Sequence, residues 1–251
     1  MTHVLVTRPL DASRQLADQL DAHDLIPIVM PLYTFASSKP VPDVSSVWSE
    51  RGVRKLAVFT SPRAVQFGLP FIPAHDQLNG IEIAVVGSAT RADLEASGYP
   101  VHLQARSGFT SEDLLQTPGL ADDPGVAVIF CAPGGRETIA EGLGDMGWRV
   151  DKAMVYERVP LRPDSEQIEE LRNSAELISV WTSVSALNLA EEYLPADVWG
   201  KILGSSVLVI SSRIQHHLTQ LGASRVELAD GPGNPELLQS ILRLTGQQTA
   251  R

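Results

Sequence analysis

The strongest constraint on the fold is an internal repeat, because one pattern occurs twice along the chain. Four separated blocks recur at offsets of 122 to 124 residues. The pairs are residues 55–61 with 177–183, residues 83–86 with 207–210, residues 113–116 with 236–239, and Leu16, Leu20, Tyr33 and Pro40 with Ile139, Leu143, Tyr156 and Pro163. A fixed-period repeat of several blocks indicates the duplication of one structural unit. The 251 residues therefore predict two similar units rather than one large domain.

Within each copy, short apolar runs alternate with segments of helical periodicity. Val, Ile and Leu dominate the runs, and this alternation is typical of βαβ units that build a parallel sheet. The predicted strands are residues 3–6, 26–30, 56–59, 81–86, 101–103, 126–131, 149–153, 177–181, 207–210 and 225–228. Predicted helices over residues 89–97 and 214–221 end at Gly98 and Gly222, because glycine adopts the left-handed conformation after a helix at little cost. Each copy is thus predicted to be a small doubly wound α/β domain.

Two equivalent segments, residues 33–40 and 156–163, cross between the copies. Both contain prolines, which disfavour helix and favour extended chain. If both are linkers, residues 35–159 form one inserted domain, and residues 1–34 with 160–251 form the other. Paired linkers predict a hinge that lets the domains close around a ligand.

The formal net charge of -10 excludes general affinity for nucleic acid or anionic membranes, because those partners require a basic surface. A small polyanion remains compatible, since backbone N–H groups and a few arginines can bind it locally. No run approaches about 20 uncharged apolar residues, and the amino terminus shows no basic leader with a cleavage site. We therefore expect a cytoplasmic protein with no nucleic-acid or membrane partner.

We expect no metal and no cofactor. Cys131 is the single cysteine, so an intramolecular disulfide is ruled out, and the histidines lack metal-ligand spacing. His216 and His217 are neighbours in a predicted helix, where they point about 100° apart and cannot share a metal. Residues 134–136 lack the Lys-Ser/Thr ending of a phosphate-binding loop, and Gly87 lacks the further glycines of a dinucleotide fingerprint.

Six segments, in order along nearly the whole chain, resemble the uroporphyrinogen-III synthase family. They are Val4-Leu-Val-Thr-Arg-Pro9, Phe59-Thr-Ser-Pro-Arg-Ala-Val65, Val86-Gly-Ser-Ala-Thr90, Gly134-Gly-Arg136, Val155-Tyr156 and Trp181-Thr-Ser183. Each segment alone is ordinary, but their ordered set is specific. The chain departs from the family at residues 210–214, where Ile-Ser-Ser-Arg-Ile replaces a Gly-Pro-Thr-Thr-Ala-like turn. A threonine role in that turn would have to pass to Ser211 or Ser212.

The resemblance implies both a fold and a reaction. The fold is two flavodoxin-like doubly wound parallel-sheet domains joined by a two-stranded hinge linker. The enzyme would cyclise hydroxymethylbilane, with inversion of ring D, to give uroporphyrinogen III and water. It would need no cofactor, and hydroxymethylbilane synthase is the expected donor of the substrate.

The matched turns lie where predicted strands lead into helices, the edge at which open α/β sheets bind ligands. Their unpaired N–H groups and arginines would suit the polycarboxylate substrate that the resemblance implies. The candidate substrate-binding residues are Thr7, Arg8, Thr60, Ser61, Arg63, Ser88, Thr90, Arg91, Gly135, Arg136, Thr182, Ser183, Ser212 and Arg213. The alternative for the hydroxyl residues is helix capping, and for the arginines it is a solvated charge or an ion pair.

Tyr156 is the candidate catalytic residue. The implied intermediates are cations that the pyrroles themselves stabilise, so the protein mainly positions the chain ends and assists one proton transfer. A phenol is protonated near neutral pH and can supply that proton. The alternative is a hinge aromatic that only packs. Tyr33, the repeat partner of Tyr156, carries no family motif.

A second class of function remains open from the residues alone. Two α/β lobes with a hinge also describe small-molecule binding or sensing proteins that close without catalysis. Turnover of excess substrate distinguishes an enzyme from such a protein. We expect a monomer in either case, because no long apolar helix face is left over once the two sheets are assigned.

Overall fold

The computed structural model describes residues 1–40, 42–78, 80–105, 110–134 and 137–246. The strands are β1 (Thr2–Val6), β2 (Ile26–Val29), β3 (Tyr33–Ser37), β4 (Lys55–Phe59), β5 (Ile81–Val85), β6 (Leu103–Gln104), β7 (Val126–Cys131), β8 (Arg149–Met154), β9 (Tyr156–Pro160), β10 (Glu176–Trp181), β11 (Ser206–Val209) and β12 (Arg225–Leu228). The α-helices are α1 (Leu10–Asp21), α2 (Ser45–Ser49), α3 (Pro62–Gly68), α4 (Ser88–Ala96), α5 (Ser111–Leu115), α6 (Thr138–Asp145), α7 (Ser165–Asn173), α8 (Val184–Tyr193), α9 (Ala196–Gly204), α10 (Ser212–Gln220) and α11 (Asn234–Leu244).

The first compact unit contains residues 1–34 together with the described residues from 158 onward. Its parallel sheet has the strand order β12-β11-β10-β1-β2. Val4 and Val6 of β1 lie opposite Ile178 and Val180 of β10, and all four side chains are buried. They pack against the apolar faces of α1 and α11, so these two helices lie on one face of the sheet.

The second compact unit contains the described part of residues 35–157. Its parallel sheet has the strand order β6-β5-β4-β7-β8. Along β4, Leu56 and Val58 pack into one buried cluster, whereas Ala57 and Phe59 pack into another. Both faces of β4 are therefore covered, which explains its continuous apolar sequence.

The two sheets have the same arrangement of repeat-equivalent strands. The strand β4 corresponds to β10 and β7 corresponds to β1, so the second unit is a circular permutation of the first. The direction of winding reverses between β1 and β10 in the first sheet and between β4 and β7 in the second. Such switch points open a crevice at the carboxyl ends of the strands, where doubly wound proteins bind ligands.

The chain passes between the units in two extended segments. The strands β3 and β9, which begin at the repeat-equivalent Tyr33 and Tyr156, form a two-stranded sheet. The units divide after Thr34 and again after Glu157, so the second division falls two residues before the predicted one.

The predicted α/β fold class is confirmed, and each predicted strand overlaps a strand of the structure. The largest difference is β6, which was predicted at residues 101–103 but pairs with β5 through Leu103 and Gln104. This strand is at the edge of its sheet, where apolar patterning is weakest. Gly98 and Gly222 have φ of 84° and 97°, which confirms their predicted positions after α4 and α10. Within the described residues, no helix is both long and apolar enough to cross a membrane.

Candidate active site

The phenol of Tyr156 and the hydroxyl of Ser61 meet at the carboxyl edge of the second sheet. Tyr156 follows β8, Ser61 follows β4, and their oxygens lie 3.1 Å apart. Tyr156 is 9% exposed, so this contact is largely shielded from water. The structure thus brings together the predicted catalytic residue and one predicted binding residue.

Packing fixes the ring of Tyr156. Phe35 meets it edge-on with 5.6 Å between centroids, and Phe67 stacks on it at 5.8 Å. Phe67 belongs to α3, which approaches the sheet closely because it ends in Gly68, where a Cβ would lie 2.9 Å from Phe130 Cδ1. Tyr156 is therefore a packed aromatic that also presents a hydrogen-bonding hydroxyl, and its catalytic role stays a prediction.

Ser61 also caps α3. Its Oγ accepts a hydrogen bond from the backbone N–H of Ala64 at 3.1 Å, and Pro62 occupies the first turn, where its missing N–H costs nothing. The structure therefore confirms that Ser61 caps α3. This cap leaves the Ser61 proton available for Tyr156, and either oxygen of that pair can donate.

Two predicted threonines bridge the switch points. Thr7 donates its hydroxyl to Val180 O at 2.8 Å, joining the ends of β1 and β10, and Thr60 donates to Phe130 O at 3.1 Å, joining β4 and β7. Each hydroxyl adds a hydrogen bond to a carbonyl of the neighbouring strand, and Phe130 O also accepts from the backbone N–H of Thr60 at 3.4 Å. Thr7 is 2% exposed, whereas Thr60 is half-buried. Their contact with substrate stays a prediction.

Two predicted arginines of the second unit have partners already. The guanidinium of Arg63 stacks over Phe35 at 4.9 Å and donates to Gln66 Oε1 at 2.6 Å. Arg91 donates to Glu95 at 2.7 Å and to Gln104 at 2.9 Å. Arg63 therefore lies beside the aromatic packing of Tyr156, whereas Arg91 is an exposed, ion-paired side chain.

The remaining predicted residues of the second unit differ in accessibility. Ser88 is exposed in the first turn of α4, and Thr90 is 2% exposed two residues later. Gly135 and Arg136 lie outside the described residues.

In the first unit, Thr182 and Ser183 are half-buried after β10, and Ser183 precedes α8 without a side-chain capping bond. Ser212 and Arg213 are exposed at the start of α10. Ser211 is the capping residue of this turn, because its Oγ accepts from Ile214 N at 3.4 Å. The divergent turn thus retains a hydroxyl at the helix start.

Sequence reasoning missed the partner of Arg8. The half-buried guanidinium of Arg8 donates through Nη1 to Asn234 Oδ1 at the start of α11. Arg158 of β9 also stacks over Tyr33, 5.5 Å from the ring centroid. The proline- and glycine-rich residues 231–235 signal a helix start after β12, but nothing in them identifies Arg8 as the contact.

Cys131 ends β7, where burial raises the pKa of its thiol, so the thiolate is disfavoured. In the described part of the chain, no cluster of three or more His, Cys, Asp or Glu side chains has the geometry of a metal site.

Comparison with known proteins shows which family the chain resembles. The family model described as Uroporphyrinogen-III synthase HemD matches residues 14–239. The uroporphyrinogen-III synthase of Escherichia coli K12 is 25% identical over 244 residues, covering 95% of this chain and 99% of the relative. The Salmonella typhimurium LT2 uroporphyrinogen-III synthase is 26% identical over 251 residues, covering 95% of this chain and 99% of that protein.

Solved structures share the fold. The uroporphyrinogen-III synthetase of Helicobacter pylori 26695 superposes with a TM-score of 0.65 at 16% identity, covering 97% of this chain and all of that chain (100%). A mutant uroporphyrinogen III synthase of Thermus thermophilus superposes with a TM-score of 0.60 at 19% identity, covering 99% and 100% of the two chains. With a family model that matches almost its full length, and with the motifs of that family at the carboxyl edges of two parallel sheets, the chain belongs to the uroporphyrinogen-III synthase HemD family.

Proposed function

We propose that the chain cyclises hydroxymethylbilane to uroporphyrinogen III, with inversion of ring D and release of water. The observation that carries the catalytic part of the proposal is the hydrogen bond between the buried Tyr156 and the half-buried Ser61 at the carboxyl edge of the second sheet. Family membership supplies the reaction, and the pair supplies a proton donor where doubly wound proteins bind ligands.

Tyr156 is the proposed general acid. Its phenolic proton passes to the terminal hydroxymethyl oxygen, the C–O bond breaks, and water leaves. The far pyrrole attacks the resulting delocalised cation, and the ring inverts before closure. The proton that the attacking pyrrole carbon finally loses restores the phenol, so the reaction neither gains nor loses electrons.

Ser61 is the proposed positioning residue for this proton. When the Ser61 hydroxyl donates to Tyr156 Oη, the Tyr156 proton is free to point at the substrate rather than at Ser61. The same hydrogen bond stabilises the phenolate that forms after transfer, because hydrogen bonds to a charged acceptor are stronger than neutral ones. The packed Phe35 and Phe67 rings restrict the phenol to this geometry.

The substrate is a polyanion, although the protein carries a net charge of -10. Exposed charges beyond about 8 Å are largely screened at physiological ionic strength, so nearby groups dominate binding. Arg63 is such a group in the second unit, because its stacking over Phe35 holds it next to the ring that contacts Tyr156.

The decisive experiment is an anaerobic coupled assay in which hydroxymethylbilane is generated in situ and the porphyrin isomers are separated after oxidation. Predominant type III isomer is expected. Type I alone, the product of spontaneous closure, would reject the enzymatic proposal and favour a binding protein without catalysis.

We also propose that the enzyme acts as a cytoplasmic monomer that receives its unstable substrate from hydroxymethylbilane synthase. Size-exclusion chromatography with light scattering tests the monomer. Handover is tested by adding a catalytically inactive hydroxymethylbilane synthase to the coupled assay. If the substrate is transferred directly, the inactive synthase would compete with the active one for this enzyme and lower the type III fraction. An unchanged fraction would indicate free diffusion of the substrate.

A further inference from the structure

Arg8 differs from the arginines that form ion pairs in the structure. Its guanidinium donates to the neutral amide of Asn234, and the described residues offer it no ion pair. The arginines that face a carboxylate are Arg54, Arg91, Arg149, Arg172 and Arg243. Among the residues that the structure describes, Arg8 is thus a half-buried cation without a counter-charge.

Burying the charge of Arg8 costs free energy unless an anion pairs with it. Burial lowers the pKa of Arg8, with a smaller opposing effect from the nearby phenol of Tyr33. A buried charge without a charged partner is destabilising, because a neutral amide replaces only part of its lost hydration. Such groups concentrate at binding sites, where the ligand supplies the missing charge.

The position of Arg8 suits a ligand. Arg8 directly follows the turn after β1, one of the two strands at the switch point of the first sheet. An open groove of about 640 Å³ lies beside it, between α1 and the start of α11, and is lined also by Gln15, Gln19 and Asn234. Asp18 is the acidic residue among the lining groups, and its side chain is exposed to solvent, which screens it.

Asn234 orients the guanidinium. It accepts from Arg8 Nη1, and its own amide nitrogen lies 3.5 Å from Gln15 Oε1, which fixes which end of the amide faces Arg8. An arginine held through one nitrogen retains further N–H groups in a planar fork, the geometry that matches a carboxylate.

We propose that Arg8, oriented by Asn234, is a carboxylate-binding site of the first unit that holds one peripheral carboxylate of the tetrapyrrole. This inference rests on the proposed function, since that function supplies the polycarboxylate. Arg8 is a binding residue and Asn234 is a positioning residue; neither takes part in the proton transfer at Tyr156.

The test uses uroporphyrin III, the oxidised product, as the probe in a fluorescence titration of the full chain. Arg8→Gln is expected to weaken its affinity about tenfold or more, because a hydrogen bond to a charged group is lost. The matched control is Arg14→Gln, which removes the same charge from an exposed position on α1 and is expected to leave affinity unchanged. Equal affinities for wild type and Arg8→Gln would overturn the proposal.

Asn234→Asp separates binding from folding. The new carboxylate would pair with Arg8 and occupy its fork, so affinity for uroporphyrin III is expected to fall while the melting temperature rises. A purely structural Arg8–Asn234 contact predicts the same rise in melting temperature with unchanged affinity, which would reject the site.

The steady-state assay distinguishes the proposed carboxylate site at Arg8 from the proposed enzymatic function. In Arg8→Gln the KM for hydroxymethylbilane is expected to rise, while kcat and the ratio of type III to type I isomer stay near the wild-type values. A fall in kcat with unchanged KM would contradict a binding role. If the wild type forms only type I isomer, the enzymatic proposal fails, yet the titration still decides whether Arg8 binds a porphyrin carboxylate.

Discussion

The hydroxyl oxygens of Ser61 and Tyr156 lie 3.1 Å apart, although the residues are 95 positions apart in the chain. The first follows the central strand β4 and the second follows the edge strand β8, so their meeting depends on the pairing of both strands with β7 between them. This contact ties the start of α3 to the first residue of β9. The hydroxyl of the proposed proton donor, Tyr156, is therefore held by a residue at the start of α3.

Tyr156→Phe is expected to lower kcat for type III formation by about 10² to 10⁴-fold, the usual contribution of a general acid. Stability should fall by about 1 kcal/mol, because one hydrogen bond is lost while the ring keeps its contacts with Phe35 and Phe67. Isomer analysis and thermal unfolding measure the two effects. Tyr99→Phe removes a phenolic hydroxyl elsewhere in the same unit and serves as the control. A wild-type kcat in Tyr156→Phe would remove Tyr156 from the mechanism.

Ser61→Ala is expected to affect stability and activity together. Losing the α3 cap should cost about 0.5–2 kcal/mol. Activity should also fall, because the Tyr156 hydroxyl loses its partner, and Ser61→Thr should restore both.

The control for Ser61→Ala is Thr110→Ala. Thr110 caps α5 in the same unit by accepting from Asp113 N at 3.2 Å, so its removal should cost about the same stability with no loss of activity. If both variants lost activity in proportion to stability, Ser61 would be a capping residue and nothing more.

The sequence was sufficient to predict the architecture because the repeat and the apolar runs report on backbone hydrogen bonding and burial. Both sheets appear with equivalent strand orders, as duplication requires. The two-residue edge strand β6 differs from its predicted position because its pairing with Ala84 and Val85 in β5, rather than its apolar content, determines its ends.

The contacts of the site could not be predicted in the same way. Arg8 and Asn234 are 226 residues apart, and their hydrogen bond depends on how α11 packs against α1. Thr7 was predicted to bind substrate, and the structure adds that its hydroxyl donates to Val180 O across the switch point, a contact that the sequence does not reveal. Residue type identified the groups, whereas side-chain direction required the fold.

The switch-point threonines are expected to be stability residues of unequal weight. Thr7→Val should destabilise the protein by about 1 kcal/mol, because the buried hydrogen bond from the Thr7 hydroxyl to Val180 O is lost. Thr60→Val should cost less, since Phe130 O keeps the hydrogen bond that it accepts from the backbone N–H of Thr60 at 3.4 Å.

Calorimetric unfolding measures this difference. Thr219→Val is the control, because Thr219 is exposed on α10 and its hydroxyl donates to Gln215 O of its own helix. Its effect should stay within about 0.5 kcal/mol. Equal effects at Thr7 and Thr219 would show that the Thr7 bridge does not stabilise the sheet.

Cys131 is expected to react slowly with thiol reagents. Burial raises the pKa of its thiol, and the opposing influence of Lys152 is smaller. A raised pKa means a smaller thiolate fraction at neutral pH, and only the thiolate attacks. The rate of alkylation by iodoacetamide should therefore be lower than that of glutathione at pH 7, and should continue to rise at pH values where the glutathione rate has levelled off.

Mass spectrometry of the intact chain follows this reaction, because Cys131 is the single cysteine. Cys131→Ser should retain the wild-type ratio of type III to type I isomer, since the proposed mechanism takes its proton from Tyr156 and needs no thiolate. Fast alkylation at neutral pH, combined with loss of type III product in Cys131→Ser, would instead place a reactive thiol at the end of β7. The proton-transfer role of Tyr156 would then need to be re-examined against that thiol.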